Sequence, residues 1–394
     1  MPATLNRTQV SSTRLREITQ QCVKCGLCLP LCPTYQLSKT EAESPRGRIA
    51  IAQALLNGAD VDSSSRAHLS TCLTCGACQS VCPSRVPYQE LIAGVRAQIG
   101  SSKRESLRRS AARHLLEHPR LLRLMMPIAR WFHSPLRRAR SGSAVVVRDG
   151  RGPITASSGR IALIAGCTGD ALDAQALGAA ERLLLHCGLE VHRLAPQCCG
   201  ALARHSGDLK RAESLGAALL NTLTAAAVAH CTGIATGCAA HCVELTRQQV
   251  PYRDPMEVLW SHRAKLRFRP DRRTVALHLP CTQRMSPSSV QATQDLLRLV
   301  PDLKLVTLAH RGRCCGGAGT YFLDHAITAA QLRQPILDDL ARSGAQLVLS
   351  ANIGCRLQIA NGRAVPVQRA DFPVQRADFP VQHPLEFLNE LLQR

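Results

Sequence analysis

Cys22-Val23-Lys24-Cys25-Gly26-Leu27-Cys28-Leu29-Pro30-Leu31-Cys32-Pro33 recurs fifty residues later as Cys72-Leu73-Thr74-Cys75-Gly76-Ala77-Cys78-Gln79-Ser80-Val81-Cys82-Pro83. In each run C-x2-C-x2-C wraps three thiolates round one [4Fe–4S] cube from a single loop, and the fourth thiolate has to come from elsewhere. In the bacterial two-cluster pattern the Cys-Pro that closes each run ligates the other cluster. The doubled run therefore predicts Cys22, Cys25, Cys28 and Cys82 on one cube, and Cys72, Cys75, Cys78 and Cys32 on the other. Gly26 and Gly76 let the backbone approach inorganic sulfide, and Pro33 and Pro83 are expected to turn the chain away. Zinc also uses C-x2-C pairs. A tetrahedral site drawn from two separated pairs, however, has no use for a third cysteine two residues on. Two cubes in one small domain make a wire for single electrons and supply no substrate pocket.

Outward from this pair a second repeat begins at Arg160, with a period of 114 to 117 residues. Cys167, Cys198-Cys199-Gly200 and Cys238 match Cys281, Cys314-Cys315-Gly316 and Cys355. Each copy gathers four thiols able to hold iron–sulfur, to hold zinc, or to cycle between thiol and disulfide, and the residues alone leave these three open. Cys187, in a Leu-rich helical stretch, reads as a buried filler. Cys231 and Cys242 are ambiguous neighbours of Cys238, and His205 and His278 are assigned no role.

Local patterns give the fold class. Ser44 as N-cap, Pro45 at the first helical position and Gly58 just past the end predict a helix between the two cysteine runs. A second helix is expected after Pro87, through Leu91, Ile92 and Val95 to Gly100. Farther on, apolar runs at 161–165, 275–279 and 346–350 end just before Cys167, Cys281 and Cys355. They alternate with helical stretches at 173–186, 208–228 and 325–342. Strand and helix in alternation imply a mostly parallel sheet, with ligands at the carboxyl ends of the strands. The expected class is α + α/β: a helical two-cluster ferredoxin-like domain at 1–100, a basic linker at 101–159, and Cys-Cys-Gly modules at 160–270 and 271–394. The second module carries a tandem heptad insert at 366–379, where Pro366-Val-Gln-Arg-Ala-Asp-Phe372 is repeated and then restarts at Pro380. Proline every seven residues forbids a continuous helix there, so a surface loop is expected.

Composition narrows the function. The chain has 394 residues, 45% of them hydrophobic, so it can bury two or three cores; aromatics are only 3%, too few to stack nucleobases. The net charge of +21 leaves two readings, a solvated arginine-rich surface or an anionic partner. From Lys103 to Arg140 eleven basic residues face only Glu105 and Glu117, accompanied by Leu115, Leu116, Leu121, Leu122, Met125, Trp131 and Phe132. A basic amphipathic helix of this kind suits peripheral contact with an anionic membrane. Nineteen cysteines with no apolar leader before them point to metal binding in a reducing compartment, so a cytoplasmic location is expected. No Gly-rich dinucleotide fingerprint stands out, which puts any flavin on another chain.

The paired cluster motifs, the segment Ser44-Pro45-Arg46-Gly47-Arg48-Ile49 and the two Cys-Cys-Gly modules together resemble the glycolate oxidase (glycolate dehydrogenase) iron–sulfur subunit family. Further matches are Cys32-Pro33-Thr34-Tyr35, His278-Leu279-Pro280-Cys281-Thr282, Cys314-Cys315-Gly316-Gly317-Ala318-Gly319-Thr320-Tyr321 and Asn352-Ile353-Gly354-Cys355. The resemblance implies a complex in which a flavoprotein subunit oxidises glycolate to glyoxylate. Electrons then pass through this subunit to a membrane acceptor of the quinone type. Relatives of the same layout serve lactate utilisation, glycerol-3-phosphate oxidation and heterodisulfide reduction. In the last branch the module ends in C-x-x-C and holds a cluster of its own. Here the first module ends Cys238-Ala239-Ala240-His241-Cys242, one residue longer, and the second ends with Cys355 alone. A thiol–disulfide oxidoreductase is accordingly the rival to a pure electron relay.

Overall fold

The computed structural model describes residues 11–100, 103–132, 160–234, 241–243, 245–246, 249–308, 314–360 and 379–393. By their contacts they fall into two units. One comprises Met1–Arg113, Gly200–Leu215 and Ala309–Pro335, and the other His114–Cys199, Gly216–Leu308 and Ile336–Arg394. The grouping follows contact rather than sequence order, since the segment after each Cys-Cys pair belongs with the cysteine runs of the first unit.

In the first unit the described elements are helical. Ser44 caps the helix Pro45–Leu56, its hydroxyl accepting from the Gly47 N–H at 2.9 Å with Pro45 at the first position. The expected second helix is Tyr88–Ile99, ending at Gly100. Between them runs Ser63–Ser70, capped by Asp62. Leu15, Ile18, Ala52, Leu69, Leu91 and Ile92 are fully buried among these helices and form their core. Pro33 differs from expectation: it opens a short helix, Pro33–Ser38, at its first position, where its missing N–H leaves no bond unmade. The Arg96 guanidinium binds the carbonyls of Leu69, Ser70 and Cys72 and, at 2.7 Å, that of His205, fastening the helix Ala201–His205 beside the second cysteine run.

The second unit contains two parallel sheets. β1 (Arg160–Ile164), β2 (Glu190–Arg193) and β3 (His230–Gly233) lie in the order β2-β1-β3. β4 (Thr274–His278), β5 (Lys304–Thr307), β6 (Leu347–Ser350) and β7 (Val381–Gln382) lie in the order β5-β4-β6-β7. The repeat read from the cysteines reappears in the strand register: Arg160 pairs with Glu190 as Thr274 pairs with Lys304, and Ile161 with His230 as Val275 with Leu347. Both sheets share one core, with Ile161, Leu163, Val275, Leu277 and Leu349 facing Leu177, Leu183, Leu184, Leu296, Leu297 and Phe387. In each sheet the chain leaves the central strand to one side and then returns to the other. That reversal opens a crevice at the strands' carboxyl ends, where the cysteines follow.

The stretch expected as a linker holds two helices, Lys103–Glu117 and Pro119–Phe132. Leu115, Leu116 and Leu122 pack on Ala171 and Leu172, so these three leucines face inward, whereas Leu121, Leu124 and Met125 are exposed. No helix among the described residues is long and apolar enough to cross a membrane. The heptad insert lies outside the described residues up to position 378. Its third restart, Pro380-Val381-Gln382-His383, is built in: Val381–Gln382 forms β7 beside β6, and His383 caps the helix Pro384–Leu391.

Candidate functional site

The two cysteine runs fold alike because the same backbone turns recur at the same places. Lys24 and Gly26, and equally Thr74 and Gly76, have positive φ, so each loop curls back on itself. In the second loop this curl brings the Thr74 N–H to 3.5 Å from the Cys72 sulfur. The outcome is two thiol-lined cavities. Cys22, Cys25, Cys28 and Cys82 line one, together with Cys78. Cys32, Cys72, Cys75 and Cys78 line the other. The cysteine closing each run thus stands with the three thiols of the opposite run.

The first turn of the helix Pro45–Leu56 is built around both cavities. Pro45 lines each of them, Arg46 lines the first and Arg48 the second. Gly47 has no room for a side chain, because a Cβ there would stand 2.0 Å from the Glu41 carbonyl oxygen. Arg46 donates to the Lys24 carbonyl at 3.1 Å and to Glu41 at 2.6 Å, tying the first cysteine loop to the helix. Arg48 is almost wholly buried. It donates to the His68 carbonyl at 2.6 Å, to Thr34 and Thr71 at 3.0 Å each, and to the carboxylate of Glu43, with one N–H 3.9 Å from the Cys32 sulfur. Burial opposes its charge, yet Cys72, Tyr88, Glu43 and Cys32 outweigh that burial and hold the guanidinium above its ordinary basicity. The Thr34 hydroxyl lies 3.4 Å from the Cys32 sulfur, and the Tyr88 hydroxyl 3.8 Å from that of Cys72.

The cavities differ in exposure. Cys25 is open to solvent and Cys22, Cys28 and Cys82 are half-buried, whereas Cys32, Cys72 and Cys78 are buried. Burial pushes the Cys28 thiol up to about 11, against backbone N–H groups of Cys28 and Arg46 that lower it. Burial likewise raises Cys78 well above the usual thiol value, and Cys75, Cys72, Cys32 and Cys28 push it the same way. Thiolates this crowded repel one another unless cations stand among them. Two thiol-lined cavities that share Cys78 at their walls, with backbone and side-chain donors aimed at sulfur, are a donor set that suits iron–sulfur clusters. Among the described residues no three or more His, Cys, Asp or Glu side chains stand in a single-ion ligating arrangement.

The Cys-Cys-Gly loops owe their glycine to close packing. Gly200 (φ +86°) would place a Cβ 2.5 Å from the Ala212 carbonyl oxygen, and Gly316 (φ +76°) one 2.4 Å from that of Ala329. The Gly316 and Gly317 N–H groups donate to the Cys314 and Cys315 sulfurs at 3.4 Å each. In the first module Cys167, Cys198, Cys199 and Cys242 come together, all buried. Cys167 is raised well above the usual thiol value, chiefly by its hydrogen bond with Cys198, and Cys242 chiefly by its hydrogen bond with Cys199. Cys238 lies outside the described residues; Cys242, which the sequence had left ambiguous, stands with this set. In the second module Cys314, Cys315 and Cys355 are buried and Cys281 half-buried. Cys314 packs with Leu73, Tyr321, Ala329 and Leu332, against which Cys75 also rests.

Other residues take the places expected of them. Cys187 is buried in the apolar core. His278 pairs with Ser350 at 3.0 Å across β4 and β6, a structural contact. Sequence reasoning missed Arg48 and Glu43 as neighbours of the thiols, although both lie in or next to the Ser-Pro-Arg-Gly-Arg segment it singled out.

Residues 18–86 match the 4Fe-4S dicluster domain family, and residues 161–242 and 275–360 match the Cysteine-rich domain family. The chain is 31% identical over 379 residues to the glycolate oxidase iron-sulfur subunit of Escherichia coli K12, an alignment spanning 89% of this chain and 92% of that protein. It is 29% identical over 402 residues to the probable glycolate oxidase iron-sulfur subunit of Bacillus subtilis 168, spanning 86% and 88%. Half of the chain aligns, at 25% identity, with 88% of lactate utilization protein A of an Exiguobacterium species. A dicluster domain followed by two cysteine-rich repeats makes this an iron–sulfur electron-transfer protein, and the chain belongs to the family of glycolate oxidase iron–sulfur subunits.

Proposed function

We propose that the chain holds two [4Fe–4S] clusters, one on Cys22, Cys25, Cys28 and Cys82 and the other on Cys72, Cys75, Cys78 and Cys32. In this reading it relays electrons from a flavoprotein subunit that oxidises glycolate to glyoxylate, towards a quinone-type acceptor. The observation that carries the reading is the crossed lining of the two cavities, in which each closing cysteine stands with the opposite run. When bound, the clusters supply one-electron acceptor sites. Around them the protein's own residues set access. Cys25 is exposed between Val23 (67% exposed) and Leu27 (58%), an apolar rim where a redox partner can approach the thiols of the first cavity. Leu73, Tyr321 and Leu332 exclude water beside Cys75 of the second. Leu121, Leu124 and Met125, exposed beside Arg120 and Arg123, support peripheral contact with an anionic membrane.

Anaerobic purification with iron and acid-labile sulfide counted per chain, joined to electron paramagnetic resonance of the dithionite-reduced protein, tests the cofactor. About eight irons with two interacting reduced cubes is the expected result; four irons overturns the two-cluster reading. Reconstitution with the partner flavoprotein tests the donor: glycolate should reduce both cubes, and reduction by lactate or glycerol 3-phosphate instead would reassign the complex. A second reading, thiol–disulfide chemistry in the first module, draws on the buried meetings of Cys167 with Cys198 and Cys199 with Cys242. It gains if Cys198→Ser abolishes turnover of the assembled complex while the iron count stays at its wild-type value.

A further inference from the structure

The two cavities are built from the same motif, yet among the described residues only the second has a buried arginine at its wall, paired with a largely covered carboxylate. Arg48 reaches the second cavity with one N–H 3.9 Å from the Cys32 sulfur, while its other terminal nitrogen is held by the Glu43 carboxylate. The pair is locked in place. Glu43 is bound in turn by His68 at 2.5 Å and by Thr71 at 2.9 Å, and Arg48 also holds Thr34, whose hydroxyl meets the same sulfur. The first cavity has Arg46 instead, on the solvent side and paired with the exposed Glu41. Exposure screens such a charge, whereas burial preserves it.

Adding an electron to a thiolate-ligated centre adds negative charge. A fixed positive end and N–H donors at sulfur favour the reduced state, so they raise the reduction potential. We propose that Arg48 is the residue that sets the potential of the buried centre above the value its burial alone would give, with Glu43 as the counter-charge that limits the effect. The two halves of the wire are thereby made unequal by one ion pair. This rests on the assignment of Cys32 to the second cluster.

The test is a redox titration, followed by electron paramagnetic resonance, of the anaerobically purified full chain and its variants. Cys25→Ser identifies the signals of the exposed centre, because Cys25 lines only the first cavity. Arg48→Gln should make the buried centre harder to reduce, by at least tenfold in its reduced-to-oxidised ratio at fixed potential, about 59 mV for one electron. Glu43→Gln should move the same centre the opposite way. Arg48→Lys, which keeps the charge but not the planar fork, should fall between wild type and Arg48→Gln. The exposed centre should stay where it is in all three. A structural role alone would shift both centres, or shift Arg48→Gln and Glu43→Gln in the same direction, and either result overturns the proposal. Where Arg48→Gln does not retain its irons, Glu43→Gln decides: a rise supports the proposal, and no change or a fall refutes it. Failure of the two-cluster reading is told apart by the wild-type protein, which would then lack two titrating centres.

Discussion

Replacing Gly316 by alanine isolates the packing that the Cys-Cys-Gly motif exists to permit. Its φ of +76° costs an alanine about 1–2 kcal/mol in the left-handed region. The added Cβ would also stand 2.4 Å from the Ala329 carbonyl oxygen and 2.8 Å from the Ala329 Cα, so helix backbone would have to retreat by more than half an ångström. Overpacking of that kind costs about 1–3 kcal/mol, for a total of roughly 2–5 kcal/mol. Gly200 must behave alike, since its Cβ would meet the Ala212 carbonyl at 2.5 Å. Gly58 is the control: its φ is +83°, but nothing lies within 4 Å of a Cβ built there. All three glycines belong to the first unit. Anaerobic thermal unfolding at a single scan rate, followed by far-ultraviolet circular dichroism, reads the difference. At about 2–4 °C per kcal/mol for a domain of this size, Gly58→Ala should lower the midpoint by about 2–8 °C, and Gly316→Ala and Gly200→Ala by about 4–20 °C. If all three fall together, the glycines are there for their dihedral angle and the close approach is irrelevant.

Three further outcomes follow from other parts of the chain. Ser44→Ala removes the cap of the helix between the cysteine runs and should cost about 1 kcal/mol, measured by the same unfolding experiment. In the second unit Arg356 and Asp173 form an ion pair with both side chains buried, burial holding Arg356 down to about 10. Arg356→Ala should therefore cost about 3–5 kcal/mol by leaving a buried carboxylate unpaired, and the double change Arg356→Met, Asp173→Asn should restore more than half of the loss. His383 is held well below the usual histidine value by burial and then by the Arg356 charge. The folded state keeps it neutral while the unfolded state takes up a proton below about pH 6.5, so stability present above that pH is lost as pH falls. His383→Asn, which can still cap the helix Pro384–Leu391, should flatten the dependence of the unfolding midpoint between about pH 6.5 and 5.

Much of this architecture is legible in the residues, and the legible parts share a cause. Cysteines, prolines and glycines at fixed spacing carry local constraints, so the Ser44-Pro45 helix start, the doubled loops and the three central strands could be read directly. The strands that escaped notice are β2, β3, β5 and β7; β3 is only His230-Cys231-Thr232-Gly233, too short and polar to show an apolar run. β2 is Glu190-Val191-His192-Arg193 and β5 is Lys304-Leu305-Val306-Thr307, both half-exposed beside fully buried neighbours, so neither shows an apolar run. β7 hides inside the third restart of the heptad, where proline argues against strand but sits just ahead of the paired residues. Cys242 could not be assigned to the thiol set from spacing, because its meeting with Cys199 is a tertiary event. Arg48 and Glu43 were visible as charges in a motif. Only folding shows that Arg48 is buried with an N–H near the Cys32 sulfur and that Glu43 is its partner.

The unit that carries the two cysteine runs draws its last segment from Ala309–Pro335. A ribosome has therefore to synthesise the chain well beyond the second run before Cys314, Tyr321 and Leu332 can cover Leu73. At about 5–20 residues per second, the interval between the emergence of Arg113 and that of Pro335 is on the order of 10–45 s. During it eight nucleophilic thiols stand in an unfinished fold. Biogenesis in an oxygenated cell thus turns on whether iron and sulfide are delivered within that window or after it, and a fragment cut at residue 113 would be a poor stand-in for the cluster-bearing part of the molecule.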